Sequence, residues 1–132
     1  MKDPNNPCLF CNIKGSGLAD ENKLAYASYD TYPVTNHHCL IIPKRHIKDY
    51  FDLTKEEIIA CNQLIKKMKN KIEFKDNLVE GFNLGTNSGK VAGQSIMHCH
   101  IHLIPRREGD VQSPQGGVRS VIPLKQHYIR KV

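Results

Sequence analysis

Apolar and polar positions along the chain sort into one helical stretch and several short extended ones. Ile58, Cys61, Ile65, Met68 and Ile72 recur at three- and four-residue spacing, which gathers them on one helix face and predicts that this face packs on a sheet. Thr54 to Glu57, immediately before, has the form of a capping box in which the Thr and Glu side chains satisfy each other's backbone donors. The lysines Lys66, Lys67, Lys69 and Lys71 fall on what reads as the solvent face of the same helix. Residues 24–28, 39–43, 81–86 and 98–105 are alternating or β-rich and are bounded by Gly, Pro or Asn, which predicts strands. A second, short helix is placed near residues 11–17 or in the tail. Strands around one strong helix, without regular βαβ alternation, predict an α+β fold with a mainly antiparallel sheet. The tail after Arg107 contains Gly109, Pro114, Gly116, Gly117 and Pro123 and reads as ordered loops over the sheet.

A chain of 132 residues is the size of one ordinary domain, so residues 1–132 are taken as a single unit. With 39% hydrophobic and 24% charged residues the balance is globular, and no apolar run approaches the roughly 20 residues of a membrane span. The first seven residues hold no apolar segment of the secretory kind, so a cytoplasmic location with reduced cysteines is expected. A formal charge of +6 favours phosphate-bearing partners. The one dense basic run lies on the helix's solvent face, so small nucleotides are preferred over nucleic acid, and no membrane partner is expected.

The segment carrying most chemistry is 97–105, where His98, His100 and His102 alternate with Cys99, Ile101 and Leu103. On a strand the histidines would share one side and the apolar residues the other. At about 3.3 Å per residue the outer two backbones lie roughly 13 Å apart, too far for one metal to take all three easily. Three readings stay open: a solvent-facing polar row, a metal-binding pair, and a nucleophile with supporting histidines. Upstream, Gly85, Gly89 and Gly93 punctuate a loop that also holds Asn87, Gln94 and Ser95, a composition that lets backbone N–H groups and side-chain donors approach an anion. It is not a P-loop, because Val91 stands where a magnesium-binding Ser or Thr belongs. Cys8 and Cys11 read as a redox pair, half of a metal site, or two unrelated thiols. Cys39, Cys61 and Cys99 fall at apolar positions and read as core.

His98-Cys99-His100-Ile101-His102-Leu103-Ile104 resembles the signature of the histidine-triad (HIT) family, flanked as in that family by Gly93-Gln94-Ser95 and Pro105-Arg106. Pro33-Val34, the run from His38 to His46, and Phe51 to Glu57 resemble the family's second and third strands and long helix. With Cys8 to Cys11 the likeness covers about residues 8–107, the motif-bearing core, and residues 108–132 form the tail. The segment from Arg106 to Pro123 is similar to the branch that includes dinucleoside polyphosphate hydrolases. One departure is Asn36-His37-His38, where the family usually has Pro-Gly-His.

The resemblance implies a HIT-like five-stranded antiparallel sheet with one long helix and a short one, paired as a homodimer. It implies hydrolysis or transfer at the α-phosphate of AMP-containing nucleotide conjugates, such as diadenosine tetraphosphate or phosphoramidates, through a nucleotidyl-histidine. His100 then matches the nucleophile, and His102 contacts the phosphate or donates a proton to the leaving group. Asn87, Gln94 and Ser95 match phosphate-holding positions, Asp30 a ribose-binding position, and His38 a histidine beside the site. In the zinc-containing members, the ligands match Cys8, Cys11, His46 and His98. Lys90, Arg106, Arg107 and Arg119 are further positions able to attract a polyphosphate tail. Two rival functions remain open: a hydrolase using zinc-bound water, and a nucleotide-binding module without turnover.

Overall fold

One antiparallel sheet organises the molecule. In this computed structural model, which describes residues 7–13 and 17–131, the strands are β1 (Leu18–Glu21), β2 (Ala25–Tyr29), β3 (Cys39–Pro43), β4 (Val79–Gly85) and β5 (Ile101–Arg107). Their order is β1-β2-β3-β5-β4, so β3 and β5 are central and β4 forms an edge. Every neighbouring pair is antiparallel. The five strands and one main helix match the expected HIT-like α+β architecture.

Helix α1 (Lys55–Lys75) crosses one face of the sheet. Its start is the expected capping box: the Thr54 hydroxyl accepts from Glu57 N–H at 3.1 Å, and the Glu57 carboxylate accepts from Thr54 N–H at 2.9 Å. Arg45 donates to the same carboxylate at 2.8 and 2.9 Å and holds its pKa down at about 2. The buried stripe is rotated from the predicted one. Ala60, Cys61, Leu64, Met68 and Ile72 enter the core, whereas Ile58 is 41% exposed and Ile65 lies at the margin. They pack on Ala25, Ala27, Cys39, Ile41, Ile101 and Leu103. Burial pushes the thiols of Cys39 and Cys99 up to about 12 and that of Cys61 to about 11, as expected for inert core residues.

Strands β2 and β3 match the predicted segments to within a residue, and β4 begins two residues early. The histidine segment differs more. Strand β5 starts only at Ile101, so His98 and His100 precede the ladder rather than belonging to it. The cause is local: Cys99 N–H donates to the Ile47 carbonyl at 2.7 Å, and His98 Nε2 donates to the Pro43 carbonyl at 2.7 Å. These bonds tie the segment to the chain leaving β3. The tail supplies a 3-10 turn at Gly117–Val121 in place of the predicted short helix. At the alternative location, residues 9–12 form a turn and residues 14–16 lie outside the described residues. Among the described residues no helix is long and apolar enough to cross a membrane.

Candidate active site

On the sheet face opposite α1, His102 pairs with Leu40 on one side and Gly85 on the other. His100 lies just before β5, 8% exposed, its ring 5.4 Å from that of His102. The His100 Nδ1–H donates to the His98 carbonyl at 2.8 Å. An imidazole with its proton held on Nδ1 carries its lone pair on Nε2. Two further contacts fix this residue: the Thr86 hydroxyl donates to the His100 carbonyl at 2.7 Å, and the Phe10 ring packs edge-on at 4.9 Å.

The opposite tautomer is imposed on His102. Val34 N–H donates to His38 Nδ1 at 3.1 Å, so the neutral His38 ring carries its proton on Nε2. That Nε2–H donates to His102 Nδ1 at 2.9 Å, which leaves His102 with its proton on Nε2. Burial lowers the pKa of both rings, outweighing the opposing pull of the Asp30 carboxylate 3.5 Å from His38. Two histidines two residues apart thus present a lone pair and an N–H respectively. Asp30, His38 and His102 also cluster closely enough to hold a cation. The Val34 N–H argues against that use, since His38 would have to surrender its remaining ring proton to bind metal.

The glycine-rich loop turns beside these rings. Gly89 and Gly93 adopt φ of 94° and 97°, conformations that side-chain-bearing residues rarely adopt. Gln94 is buried and braces the turn: its carbonyl oxygen accepts from Gly89 N–H at 2.9 Å, and its amide donates to the Lys48 and Ile96 carbonyls at 2.8 and 3.1 Å. Both of its N–H groups are therefore engaged inside the protein, which differs from the direct phosphate contact anticipated for it. Asn87 is half-buried and Ser95 exposed. The Ser88 hydroxyl is buried without a hydrogen-bond partner among the described residues.

His37 occupies the position where glycine is usual and takes a left-handed φ of 71°. The loop therefore keeps the conformation that glycine would give it. Arg107 secures it, donating to the Asn36 carbonyl, to Thr35 and to Asp76. Arg106 is bound by Asp110 at 2.8 and 2.9 Å, and Arg119 stacks on Tyr128 at 4.3 Å. These arginines are thus engaged in the framework, while Lys90 is exposed.

Behind His100, the side chains of Cys8, Cys11, His46 and His98 converge, their ligand atoms all within 4.8 Å of one another. The Cys11 Sγ lies 3.1 Å from His46 Nδ1 and 3.5 Å from His98 Nδ1; Cys8 Sγ is 3.4 Å from His98 Nδ1, and the two Nδ1 atoms are 3.2 Å apart. Zinc bond lengths of about 2.3 Å to sulfur and 2.0 Å to nitrogen give tetrahedral edges of ~3.5 Å for S···N and ~3.3 Å for N···N. The observed spacings approach those edges. His98 Nε2 donates to a carbonyl, which leaves Nδ1 as the ligand atom, the outer hydrogen bond typical of metal-binding histidine. The donor set and its spacing fit zinc.

The HIT domain matches residues 16–109. The chain belongs to the HIT family. A HIT-like protein of Mycoplasma genitalium is 34% identical over 113 residues, covering 81% of this chain and 78% of its own. An adenylylsulfatase of Arabidopsis thaliana is 36% identical, with 80% of this chain and 55% of the relative covered. An adenosine 5'-monophosphoramidase of Saccharomyces cerevisiae is 32% identical over 76% of this chain and 63% of its own length. Among solved structures, a zinc-bound histidine triad protein from Mycobacterium smegmatis superposes with a TM-score of 0.72 at 28% identity, covering 81% and 80% of the two chains. A Plasmodium falciparum diadenosine triphosphate hydrolase superposes with a TM-score of 0.70 at 33% identity, covering 76% of this chain and 68% of that one.

Several residues of this HIT site escaped the sequence reading. Thr86, Ser88 and Phe10 are common residue types, and nothing in their spacing sets them apart. Val34 belongs to the Pro33-Val34 likeness, but the hydrogen bond from its backbone N–H to His38 is one that no side-chain pattern reveals.

Proposed function

We propose that this HIT protein is a single-domain nucleotide hydrolase or nucleotidyl transferase acting at the α-phosphate of AMP-containing conjugates through a covalent adduct on His100. The observation that carries this reading is the His100 Nδ1–H bond to the His98 carbonyl, which leaves Nε2 as a nucleophilic lone pair. The names of the Arabidopsis, yeast and Plasmodium relatives support it, since each describes cleavage of an adenylyl conjugate.

His100 Nε2 attacks the α-phosphorus, and the bond to the leaving atom breaks with its electron pair. A nitrogen leaving atom takes its proton from water. A second attack, by water or the hydroxide so formed, cleaves the P–N bond, releases the nucleoside monophosphate and returns the lone pair to His100. His102, proton on Nε2, donates a hydrogen bond to the phosphoryl or leaving oxygen; in this tautomer it stabilises charge, since full transfer would leave an imidazolate. His38 positions it, and Asp30 accepts from the ribose hydroxyls. Asn87 and Ser95 supply donors to the phosphates from the turn that Gln94 braces.

Cys8, Cys11, His46 and His98 would hold zinc, which supplies a closed four-ligand cross-link tying the N-terminal arm to the sheet. The homodimer is supported by the unpaired edge of β4 next to exposed Leu84, Ile58 and Ile59. A cytoplasmic location and small-molecule partners complete the proposed reading.

The test is a turnover screen over dinucleoside polyphosphates, phosphoramidates, aminoacyl adenylates and adenylylsulfate, with His100→Ala alongside. Release of AMP by the wild type and its loss by several powers of ten in the variant are expected. Binding without turnover, or a fully active variant, would overturn the proposal.

A further inference from the structure

The two halves of the Cys8, Cys11, His46 and His98 cluster are positioned by different means. On the sheet side, His98 is fully buried and its Nε2–H is held by the Pro43 carbonyl at the end of β3, so its Nδ1 is aimed by the fold itself. On the arm side, a segment near the chain's start must bring two thiols to the same point. Such segments open locally at little cost and stay docked only where specific contacts hold them.

The arm makes its own turn. Asn12 Nδ2 donates to the Cys8 carbonyl at 2.8 Å, and Asn12 N–H donates to the Leu9 carbonyl at 3.3 Å. These bonds shape the turn but leave open where it sits on the sheet. Phe10 sets that: it is buried against Tyr26, Leu40 and Ile42 in a small core on the face opposite α1, with Cys8 and Ile13 at its margin. Tyr26 is fully buried in the same core, and its hydroxyl donates to the Phe10 carbonyl at 2.6 Å. Phe10 lies between the two cysteines, so this one bond fixes the backbone between both thiols. Neither of its partners is a ligand atom, and the bond therefore forms without any metal.

We infer that Tyr26 is a positioning residue of the zinc site. Its phenol docks the turn from Cys8 to Cys11 against β2 and β3, so that both thiols face His46 and His98 before an ion arrives. An ion that binds only the docked arm has its apparent affinity reduced in proportion to the docked fraction, and the Tyr26 bond raises that fraction. The inference rests on the zinc reading above and adds to it a residue outside the four ligands.

The experiment titrates the full chain, stripped of metal, with cobalt(II) as a spectroscopic stand-in for zinc. Zinc then displaces the cobalt in the presence of a competing chelator, and urea unfolding of the metal-free proteins runs in parallel. The wild type should show the intense visible bands of tetrahedral cobalt and the near-ultraviolet absorption of cobalt–thiolate bonds. Tyr26→Phe keeps the ring and removes only the hydroxyl. It should give the same spectrum with a zinc affinity about threefold to tenfold lower, the upper figure being the full worth of one buried hydrogen bond. Its metal-free unfolding midpoint should stay close to that of the wild type, because only the arm is released. A Tyr26→Phe protein with unchanged zinc affinity would overturn the inference and leave the zinc site standing. A variant that fails to fold would also overturn it, since the phenol would then serve the core as a whole. A wild type that binds neither ion, or binds cobalt without thiolate absorption, would instead defeat the zinc reading, and this inference with it.

Discussion

His100 and His102 share a side chain and a neighbourhood but differ in which ring nitrogen keeps the proton. Backbone groups make the difference: the His98 carbonyl for one, the Val34 N–H acting through His38 for the other. The Thr86 hydroxyl should matter to catalysis because it fixes the carbonyl of the nucleophile's own residue. Thr86→Val is expected to lower kcat by about tenfold while KM changes little, since misplacing a reacting group costs rate rather than uniform binding. Steady-state kinetics on adenosine 5'-phosphoramidate would check this, and an unchanged kcat would remove Thr86 from the account. At His37 the expectation concerns stability. Its φ of 71° carries a left-handed penalty of about 1 to 2 kcal/mol, so His37→Gly should be stabilising by about 1 kcal/mol in urea unfolding, the backbone entropy cost of glycine offsetting part of the relief. A destabilised variant would assign His37 a contact that outweighs its strain. The three histidines were legible from their spacing, but the reason they differ was not, because backbone hydrogen bonds leave no mark on side-chain identity.

At the level of elements, the N-terminal arm and the loop after β3 meet at the proposed zinc site, with Phe10 carried between the two cysteines onto His100. Elemental analysis should find about one zinc per chain, because four ligands close a single tetrahedron. Replacing Cys8 and Cys11 together by Ser should lower thermal stability more than it lowers turnover at room temperature. Loss of turnover with stability retained would favour a metal-centred reaction. Helix α1 shows where periodicity falls short. Ile58, Cys61, Ile65, Met68 and Ile72 fit one face, yet the sheet selects the overlapping face through Ala60 and Leu64 and leaves Ile58 beside the β4 edge. A small residue such as Ala60 adds little to a hydrophobic pattern but permits close approach. The onset of β5 departs from the alternation for a different reason: the pattern continues through His98 and His100, while the hydrogen bonds of His98 and Cys99 lead to the chain after β3 rather than into the ladder.

For the whole molecule, the edge strand β4 and the exposed Leu84, Ile58 and Ile59 form the surface proposed to pair two copies. Sedimentation should show a dimer for the wild type and a monomer for Leu84→Glu; a wild-type monomer would contradict the pairing. The tail's packing was not legible beyond its glycines and prolines, because the cavity it lines with β4 and β5 forms only once the tail is folded against them. The pH response also belongs to this scale. Burial lowers the pKa of His38 and His102 below the ordinary value of about 6.5. The unfolded chain therefore binds their protons first. The stabilisation is complete above about pH 6.5 and is lost as pH falls through the lower folded values. The acid limb of kcat/KM should likewise fall below pH 6.5, where protonation of His38 and His102 would dismantle the tautomer chain. The most direct measurement of the central claim is a rapid acid-free quench of enzyme with adenosine 5'-phosphoramidate, followed by peptide mass spectrometry. The account predicts a mass gain of one adenylyl group on His100, formed and consumed at rates compatible with kcat and absent from His100→Ala. Normal turnover with no adduct at any time point, abolished at once by chelation, would contradict it.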